Sequence, residues 1–384
     1  MFIMKTKTVT NLFKKVSLVA LAFLSFTTMA QEEVKEEEKK WFDNFSVNGS
    51  VDGYYRYNIG APNKAEDFDA DPTTDDTFIA PGTSFANQSG FSLGMANLIL
   101  GYEGEKVGFV ADLVFGPRGE DAVFLSDGSA QIVNQLYAYW NVSEKVKLTL
   151  GNFNTFLGYE VISPTGNFNY STSYMFSYGP FSHTGLKADF ALNDKWSAML
   201  AVMNPTDYTE SNPFDTYIIG AQLGYAADSG SAFLNFRYGN EGEPGEVGPT
   251  FQVDLTTGWD VSEEFYLGIN TTYLSTEPQE DGDASGFYGV ALYPQYKTSE
   301  KFTLGLRGEY FSVYNGGLTG VIGLDNELDG SVFAATLTGS YDIGNLTLKP
   351  ELRLDSASED SFLDNDRELT KSLSSFVLGA VYKF

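Results

Sequence analysis

The chain has 384 residues, no cysteine, 15% aromatic residues and a formal net charge of −27 at pH 7. The missing cysteines exclude disulfide bonds and thiolate metal sites. The acidic balance argues against nucleic acid as a partner, since phosphate binding needs clustered positive charge. Glycine (39 residues), phenylalanine (31) and tyrosine (23) are abundant, while hydrophobic content is moderate at 42%. This composition is typical of transmembrane β-barrels, in which only alternate strand residues contact lipid.

The amino-terminal segment has the pattern of a secretory signal peptide. Several lysines precede an apolar run over 16–26, and small residues follow up to Ala30. The run is too short for a spanning helix, which needs about 20 residues. We therefore expect a cleaved signal peptide over 1–30, followed by a charged periplasmic tether over 31–44. An uncleaved amphipathic helix is the alternative.

From Phe45 onward, segments with two-residue periodicity alternate with short and long connections. The short ones carry residues that favour tight turns. They lie at 103–106, 143–145, 193–195, 227–230, 262–264, 299–301 and 344–345. The long ones lie at about 60–90, 117–129, 158–182, 204–215, 240–249, 275–285, 314–330 and 356–371. We therefore predict an all-β fold over 45–384, a closed antiparallel transmembrane β-barrel of about 16 strands with short periplasmic turns and long extracellular loops.

The two faces of the predicted strands differ in polarity. In segment 346–355, leucines and a proline alternate with Thr, Lys, Glu, Arg and Asp. In a sixteen-strand barrel the polar face lines a lumen wide enough for water. The segments 91–102, 196–203 and 287–296 are apolar on both faces. We expect these to lie where the wall meets either a folded-in loop or a neighbouring subunit.

Charged residues at lumen-facing positions indicate which part of the barrel wall lines a pore. Closure of the barrel brings the first strand next to the last strands, which gathers basic residues in one sector of the wall together with an acidic neighbour. These residues are Arg56, Arg307, Lys349, Arg353 and Glu309. A basic strip that faces a loop creates a transverse field at a constriction. The alternative is that these charges pair within the wall, which satisfies buried ions without lining the pore.

The third long connection, over 158–182, differs from the others in having few charges. Glu160 is its one charged residue, and Tyr170 and Tyr174 are among its many aromatic residues. An exposed loop this apolar favours aggregation. We therefore expect the loop to fold into the bore, where Glu160, Tyr170 and Tyr174 narrow the pore. A cap over the rim, or against a neighbouring subunit, is the alternative.

The carboxy terminus has the pattern of a closing strand. Leu378, Tyr382 and Phe384 lie on one face of this strand, and the chain ends at the aromatic residue. This ending resembles the assembly signal that barrel-insertion machinery reads in outer-membrane proteins. We therefore expect these three residues to direct barrel assembly.

The region around the third loop resembles a known family. The segments 151–153, 158–160 and 180–185, with the aromatic terminus and the chain length, are similar to β-barrel porin family 2 (OmpL-like). The resemblance implies an outer-membrane porin without established catalytic residues. The expected function is passive diffusion of small hydrophilic solutes and ions, not enzymatic catalysis. A substrate-selective porin for sugars or anions and a non-conducting structural or adhesion barrel are the alternatives.

The sequence also indicates which cofactors and partners to expect. His183 is the single histidine and cannot form a histidine-based metal cluster, so we expect neither a metal site nor a cofactor. Four aspartates over 69–76 suggest weakly bound divalent cations, although the spacing of a calcium loop is missing. The expected partners are outer-membrane lipid, the barrel assembly machinery and small polar solutes. The sequence leaves open whether the protein forms a homotrimer.

Overall fold

The computed structural model describes residues 44–64, 83, 85–279 and 282–384. The predicted signal peptide over 1–30, the tether up to residue 43 and the aspartate-rich stretch over 69–76 lie outside the described residues. Sixteen strands form one closed antiparallel barrel, which confirms the predicted fold.

The strands have the following bounds in chain order. They are β1 (Phe45–Ile59), β2 (Gly90–Glu103), β3 (Val107–Phe115), β4 (Val133–Ser143), β5 (Val146–Asn154), β6 (Ser182–Ala191), β7 (Trp196–Met203), β8 (Ile218–Ala227), β9 (Gly230–Asn240), β10 (Pro249–Asp260), β11 (Phe265–Thr276), β12 (Ser285–Lys297), β13 (Phe302–Tyr314), β14 (Gly330–Ile343), β15 (Leu346–Ala357), β16 (Phe362–Leu363), β17 (Leu369–Thr370) and β18 (Ser372–Lys383). The short strands β16 and β17 form a separate hairpin in the last loop, so the barrel order passes directly from β15 to β18.

Short turns and long loops lie at opposite ends of the barrel, as the alternation predicts. For example, β2 ends at Glu103 and β3 begins at Val107, whereas β13 and β14 are separated by the loop over 315–329. The polar and apolar faces also agree with the prediction, because Glu351 and Arg353 are buried while Leu352 and Leu354 are exposed on the outer surface. The apolar exterior is the surface that a barrel presents to lipid.

The loops contain small helices that strand periodicity does not reveal. Helix α1 (Pro117–Ala122) and a 3₁₀ helix (Gly128–Ile132) lie in the second loop, and helix α2 (Tyr174–Ser177) lies in the third. The N-cap of α2 is Ser173, whose side chain accepts a hydrogen bond from the N–H of Phe176. No helix in the described ranges is both long enough and apolar enough to cross a membrane.

The barrel closes between β1 and β18. Ser50 pairs with Lys383 in the register of these strands. The backbone N–H of Phe384 donates to the carbonyl of Gly49 at 3.0 Å, and the N–H of Gly49 donates back to Phe384 at 3.2 Å. The rings of Tyr382 and Phe384 lie on the exposed outer face. The closing strand therefore contains Leu378 and Tyr382, and Phe384 follows it directly. Their role in assembly stays a prediction.

We expect replacement of Phe384 by Asp to reduce the amount of folded barrel in the outer membrane several-fold while leaving export unchanged. The substitution removes the terminal ring and places a charge at the lipid-facing end of the closing strand. Heat-modifiability on gels and membrane fractionation measure the folded amount. Phe384→Tyr is the matched control and should assemble normally, whereas normal assembly of the Asp variant contradicts the assembly role.

The two ends of the barrel should differ in their accessibility from outside the cell. The chain has no cysteine, so a single introduced thiol reports one position. Glu327 lies exposed in a long loop and Glu300 lies exposed in a short turn. We expect a membrane-impermeant maleimide to label the Glu327→Cys variant on intact cells and to label Glu300→Cys only after lysis. The opposite result inverts the topology.

Candidate functional site

The third loop leaves β5, crosses the barrel interior and contacts the far wall. The N–H of Gly158 donates to Asp254 of β10 at 3.0 Å, and the hydroxyls of Tyr159 and Tyr266 of β11 lie 2.9 Å apart. Further along, the Tyr170 hydroxyl donates to Asp52 of β1 at 2.5 Å. The loop therefore packs along the inner wall from β10 around to β1.

A buried ion pair joins the loop to β13. A guanidinium nitrogen of Arg307 lies 2.7 Å from Oε1 of Glu160, with side chains 0% and 2% exposed. Arg307 also donates to the carbonyl of Ser171 at 2.6 Å and to the hydroxyl of Thr336 at 3.1 Å. The other oxygen of Glu160 accepts from the N–H and the hydroxyl of Ser173, each at 2.7 Å. Both charges are thus hydrogen-bonded as well as paired, which a buried ion pair requires.

Two wall carboxylates accept hydrogen bonds from the loop backbone. Glu309 accepts from the N–H groups of Tyr174 and Met175 at 2.9 and 2.8 Å. Glu351 accepts from those of Tyr170 and Ser171 at 2.5 and 3.0 Å. Irregular backbone inside a barrel has no strand partner for its N–H groups. The wall carboxylates supply the missing acceptors.

Two wall cations donate to loop carbonyls in the same way. Arg353 donates to the carbonyl of Thr172 at 2.7 Å and to Asp355 at 2.8–3.0 Å. The ammonium group of Lys349 donates to the carbonyl of Pro164 at 2.8 Å and also to that of Asn167. The basic sector of the wall thus holds the loop through its backbone.

The first and second loops also contact this assembly. Arg118 of α1 donates to the carbonyls of Ile162 and Tyr170 at 2.8 and 3.2 Å, and its guanidinium lies 4.5 Å from the ring centre of Phe85. Arg56 donates to the carbonyl of Ala86 at 3.0 Å. Arg118 is not among the residues predicted from the sequence. Its signal is nevertheless present there, because Arg118 is the single basic residue within 117–129.

Glycines in the wall admit the aromatic rings of the loop. A Cβ at Gly379 would collide with the ring of Tyr170, and a Cβ at Gly305 would collide with that of Phe168. Only a residue without a side chain permits such a close approach. The wall is therefore shaped to receive the loop.

The loop tyrosines are uncharged in this environment. Burial raises the pKa of Tyr178 to about 12. It also raises the pKa of Tyr174, and that of Tyr170 is raised by burial and by the adjacent Asp52 carboxylate. These phenols stay protonated over the physiological pH range and carry no charge into the bore.

Both ends of the loop are fixed by hydrogen bonds. Nε2 of the buried His183 lies 3.0 Å from Oγ1 of Thr155. Asp207 of the fourth loop accepts from the N–H groups of Phe181 and Ser182 at 2.7 and 2.8 Å, and burial raises its pKa to about 7. Within the described ranges, no cluster of three or more His, Asp or Glu side chains is arranged to hold a metal ion.

The structure brings all the predicted pore residues together at the interface of loop and wall. None is more than 5% exposed: Arg56, Glu160, Tyr170, Tyr174, Arg307, Glu309, Lys349 and Arg353. Arg307 and Arg353 pair with carboxylates of the loop and of the wall respectively, whereas Lys349 and Arg56 donate to carbonyls of the third and first loops. Their predicted role in lining the pore stays a prediction.

A closed barrel with a loop packed inside it defines the class of outer-membrane porins. The family described as "Putative beta-barrel porin-2, OmpL-like" matches residues 44–384, and the chain belongs to this family. No protein of curated function matches the sequence significantly.

Solved structures of bacterial porins are similar in fold. The anion-selective porin from Comamonas acidovorans superposes with a TM-score of 0.57 at 12% identity, covering 88% of this chain and 99% of that chain. The outer membrane channel DcaP of Acinetobacter baumannii gives 0.56 at 14% identity, covering 88% and 97%. OmpT of Vibrio cholerae gives 0.55 at 10% identity, covering 88% and 97%.

The Arg307–Glu160 pair should contribute to stability only as a pair. We expect Arg307→Met to reduce the free energy of unfolding by about 3–5 kcal/mol, because Glu160 is left as an unpaired buried charge. The double variant with Glu160→Gln should be more stable than Arg307→Met alone. Urea unfolding in lipid vesicles, followed by tryptophan fluorescence, measures the free energy of unfolding of the wild type, the two single variants and the double variant. Additive losses in the double variant contradict the coupling.

Proposed function

We propose that the protein is an outer-membrane porin for passive diffusion of small hydrophilic solutes and ions, with a bore that the third loop narrows. The observation that carries this proposal is the path of the loop, which is anchored to β10–β15, β18 and β1 and does not cover every inward-facing side chain of β4–β6. Inward-facing side chains of β4–β6, such as Tyr139 and Lys187, remain partly exposed. The buried residues of β13 and β15 contrast with them.

The part of the inner wall that stays partly exposed has a polar lining. Its wall carries tyrosines, lysines and an aspartate, namely Tyr137, Tyr139, Lys147, Lys187 and Asp189, all partly exposed. The loop edge at 161, 163, 165 and 166 is also partly or fully exposed and carries no charge. A polar lining with water access supports diffusion of hydrated solutes over a dry, plugged barrel.

The proposal also covers export, insertion, cofactors and the oligomeric state. The protein is exported with a signal peptide over 1–30, is inserted by the barrel assembly machinery, and works without an enzymatic activity or a cofactor. We include a homotrimer, the form named for one V. cholerae OmpT structure with a TM-score of 0.53 at 11% identity. Chemical cross-linking in native membranes tests the oligomer.

Conduction is tested by removing the part of the loop that fills the interior. We expect replacement of 168–178 by a short Gly-Ser linker to raise single-channel conductance in planar bilayers about two-fold or more, because the loop occupies cross-section that ions then use. The wild-type protein should show discrete open channels. A wild-type barrel that is folded but silent contradicts the porin function and favours a structural or adhesion barrel.

A matched control shortens a loop that lies outside the bore. Residues 243–246 form an exposed tip of the fifth loop, and their replacement by two glycines should leave conductance unchanged. Equal conductance of the third-loop variant and the wild type, with both folded, contradicts narrowing by the third loop while leaving conduction intact.

A further inference from the structure

We propose that Lys147 and Lys187, on the inner wall of β5 and β6, form a charge-selecting strip that favours small anions. This inference rests on the proposed porin function and identifies the residues that give it selectivity. It differs from the sequence-based expectation, which assigned the field to a sector with Arg56, Arg307, Lys349 and Arg353.

The register places the two lysines side by side on neighbouring strands. Lys147 pairs with Asp189, and Thr149 pairs with Lys187, so the lysines are diagonal neighbours. Both face the interior, because the adjacent Leu148 and Leu186 lie on the opposite face, where Leu186 is 49% exposed on the outer surface. Diagonal neighbours lie ~7–8 Å apart, which lets one small anion interact with both ammonium groups.

Exposure separates these lysines from the cations that hold the third loop. The side chain of Lys187 is 24% exposed, and Lys147 is also partly exposed. By contrast, Arg307 and Arg353 are 0% and 3% exposed and bonded to the loop. Only charges that water and ions reach at close range act directly on a passing solute.

The acidic neighbour leaves an excess of positive charge. Asp189 is 22% exposed, and its oxygen lies 3.6 Å from the nitrogen of Lys187. This distance exceeds the ~2.7–2.9 Å of a tight charge-assisted hydrogen bond. Among the described residues, Asp189 is the carboxylate within ion-pair distance of this lysine pair, and Glu103, exposed at the end of β2, acts on Lys147 more weakly. In direct contact, two positive charges therefore meet one negative charge.

Aromatic rings hold the lysines at the wall. The ammonium nitrogen of Lys147 lies 4.2 Å from the ring centre of Tyr139, and that of Lys187 lies 5.0 Å from the ring centre of Phe153. Cation–π contacts restrict the side chains without cancelling their charge. The acidic outer loops lie at the mouth in open solvent, where salt screens charges beyond ~10 Å at 0.1 M. The strip therefore lies on the barrel wall near the short turns, at the other end from these loops.

Reversal potentials in a salt gradient test the strip in the conducting protein. We expect the anion-to-cation permeability ratio of Lys147→Gln/Lys187→Gln to fall about four-fold per lysine. A unit charge ~8 Å away in water changes the local concentration of an anion and of a cation about two-fold each, in opposite directions. Asp189→Asn should raise the ratio by a similar factor. Lys195→Gln is the control, because Lys195 is exposed in a short turn outside the bore, and it should leave the ratio unchanged. An unchanged ratio in the double lysine variant, with open channels, overturns the proposal.

A second measurement does not depend on conduction. Asn141 pairs with Lys147 in the register of β4 and β5 and is partly exposed. In Asn141→Cys, an anionic methanethiosulfonate should react faster than a cationic one, relative to a free thiol, and Lys147→Gln/Lys187→Gln should abolish this preference.

The two measurements separate the two proposals. Anion-preferring labelling in a barrel that does not conduct supports the strip and contradicts the porin function. Conduction by a barrel that shows no reagent preference, or a thiol that neither reagent modifies, overturns the strip and leaves the porin function standing.

Discussion

The structure depends on providing hydrogen-bond partners for an irregular backbone segment inside a barrel. The residues of the third loop have no strand neighbours, so their N–H and C=O groups need other partners in a space with little water. Glu309 and Glu351 accept from the loop N–H groups, while Arg353 and Lys349 donate to its carbonyls. The wall charges therefore act mainly as hydrogen-bonding groups that fix one path of the loop.

The same requirement divides the charges of the interior into two sets. Cations in β13 and β15 are desolvated by the loop and are stable there only because carboxylates and carbonyls surround them. Lys147 and Lys187 lie on the side that the loop leaves open, and they keep contact with water. Loop placement thus decides which charges are buried against the loop and which stay exposed to water.

Packing reinforces the hydrogen bonds at the places where the loop meets the wall. Gly379 and Gly305 admit the rings of Tyr170 and Phe168, and Arg118 of the second loop holds the carbonyls of Ile162 and Tyr170. Glycines in the wall therefore do more than weaken strands, since they are the recesses into which the loop fits. A loop held from several sides has little freedom to leave the barrel interior.

The sequence by itself determined the barrel, its strand number and the faces of its strands. Two-residue periodicity and turn chemistry are local properties, and they are written directly in segments such as 346–355. It also indicated an inward loop, because an apolar stretch of that length is unfavourable in water. Even the lone basic residue of the second loop was visible as an exception in its segment.

Only the tertiary structure decided which lumen-facing charges are covered. Arg307 and Lys187 both lie on the polar face of a strand, and no local pattern distinguishes them. Their difference arises because the loop over 155–181 packs against β13 and not over the exposed part of β6, a contact between residues far apart in the chain. The strand pattern determines which face of the wall a charged side chain lies on. Its solvent exposure depends on long-range packing, and here the folded loop determines it.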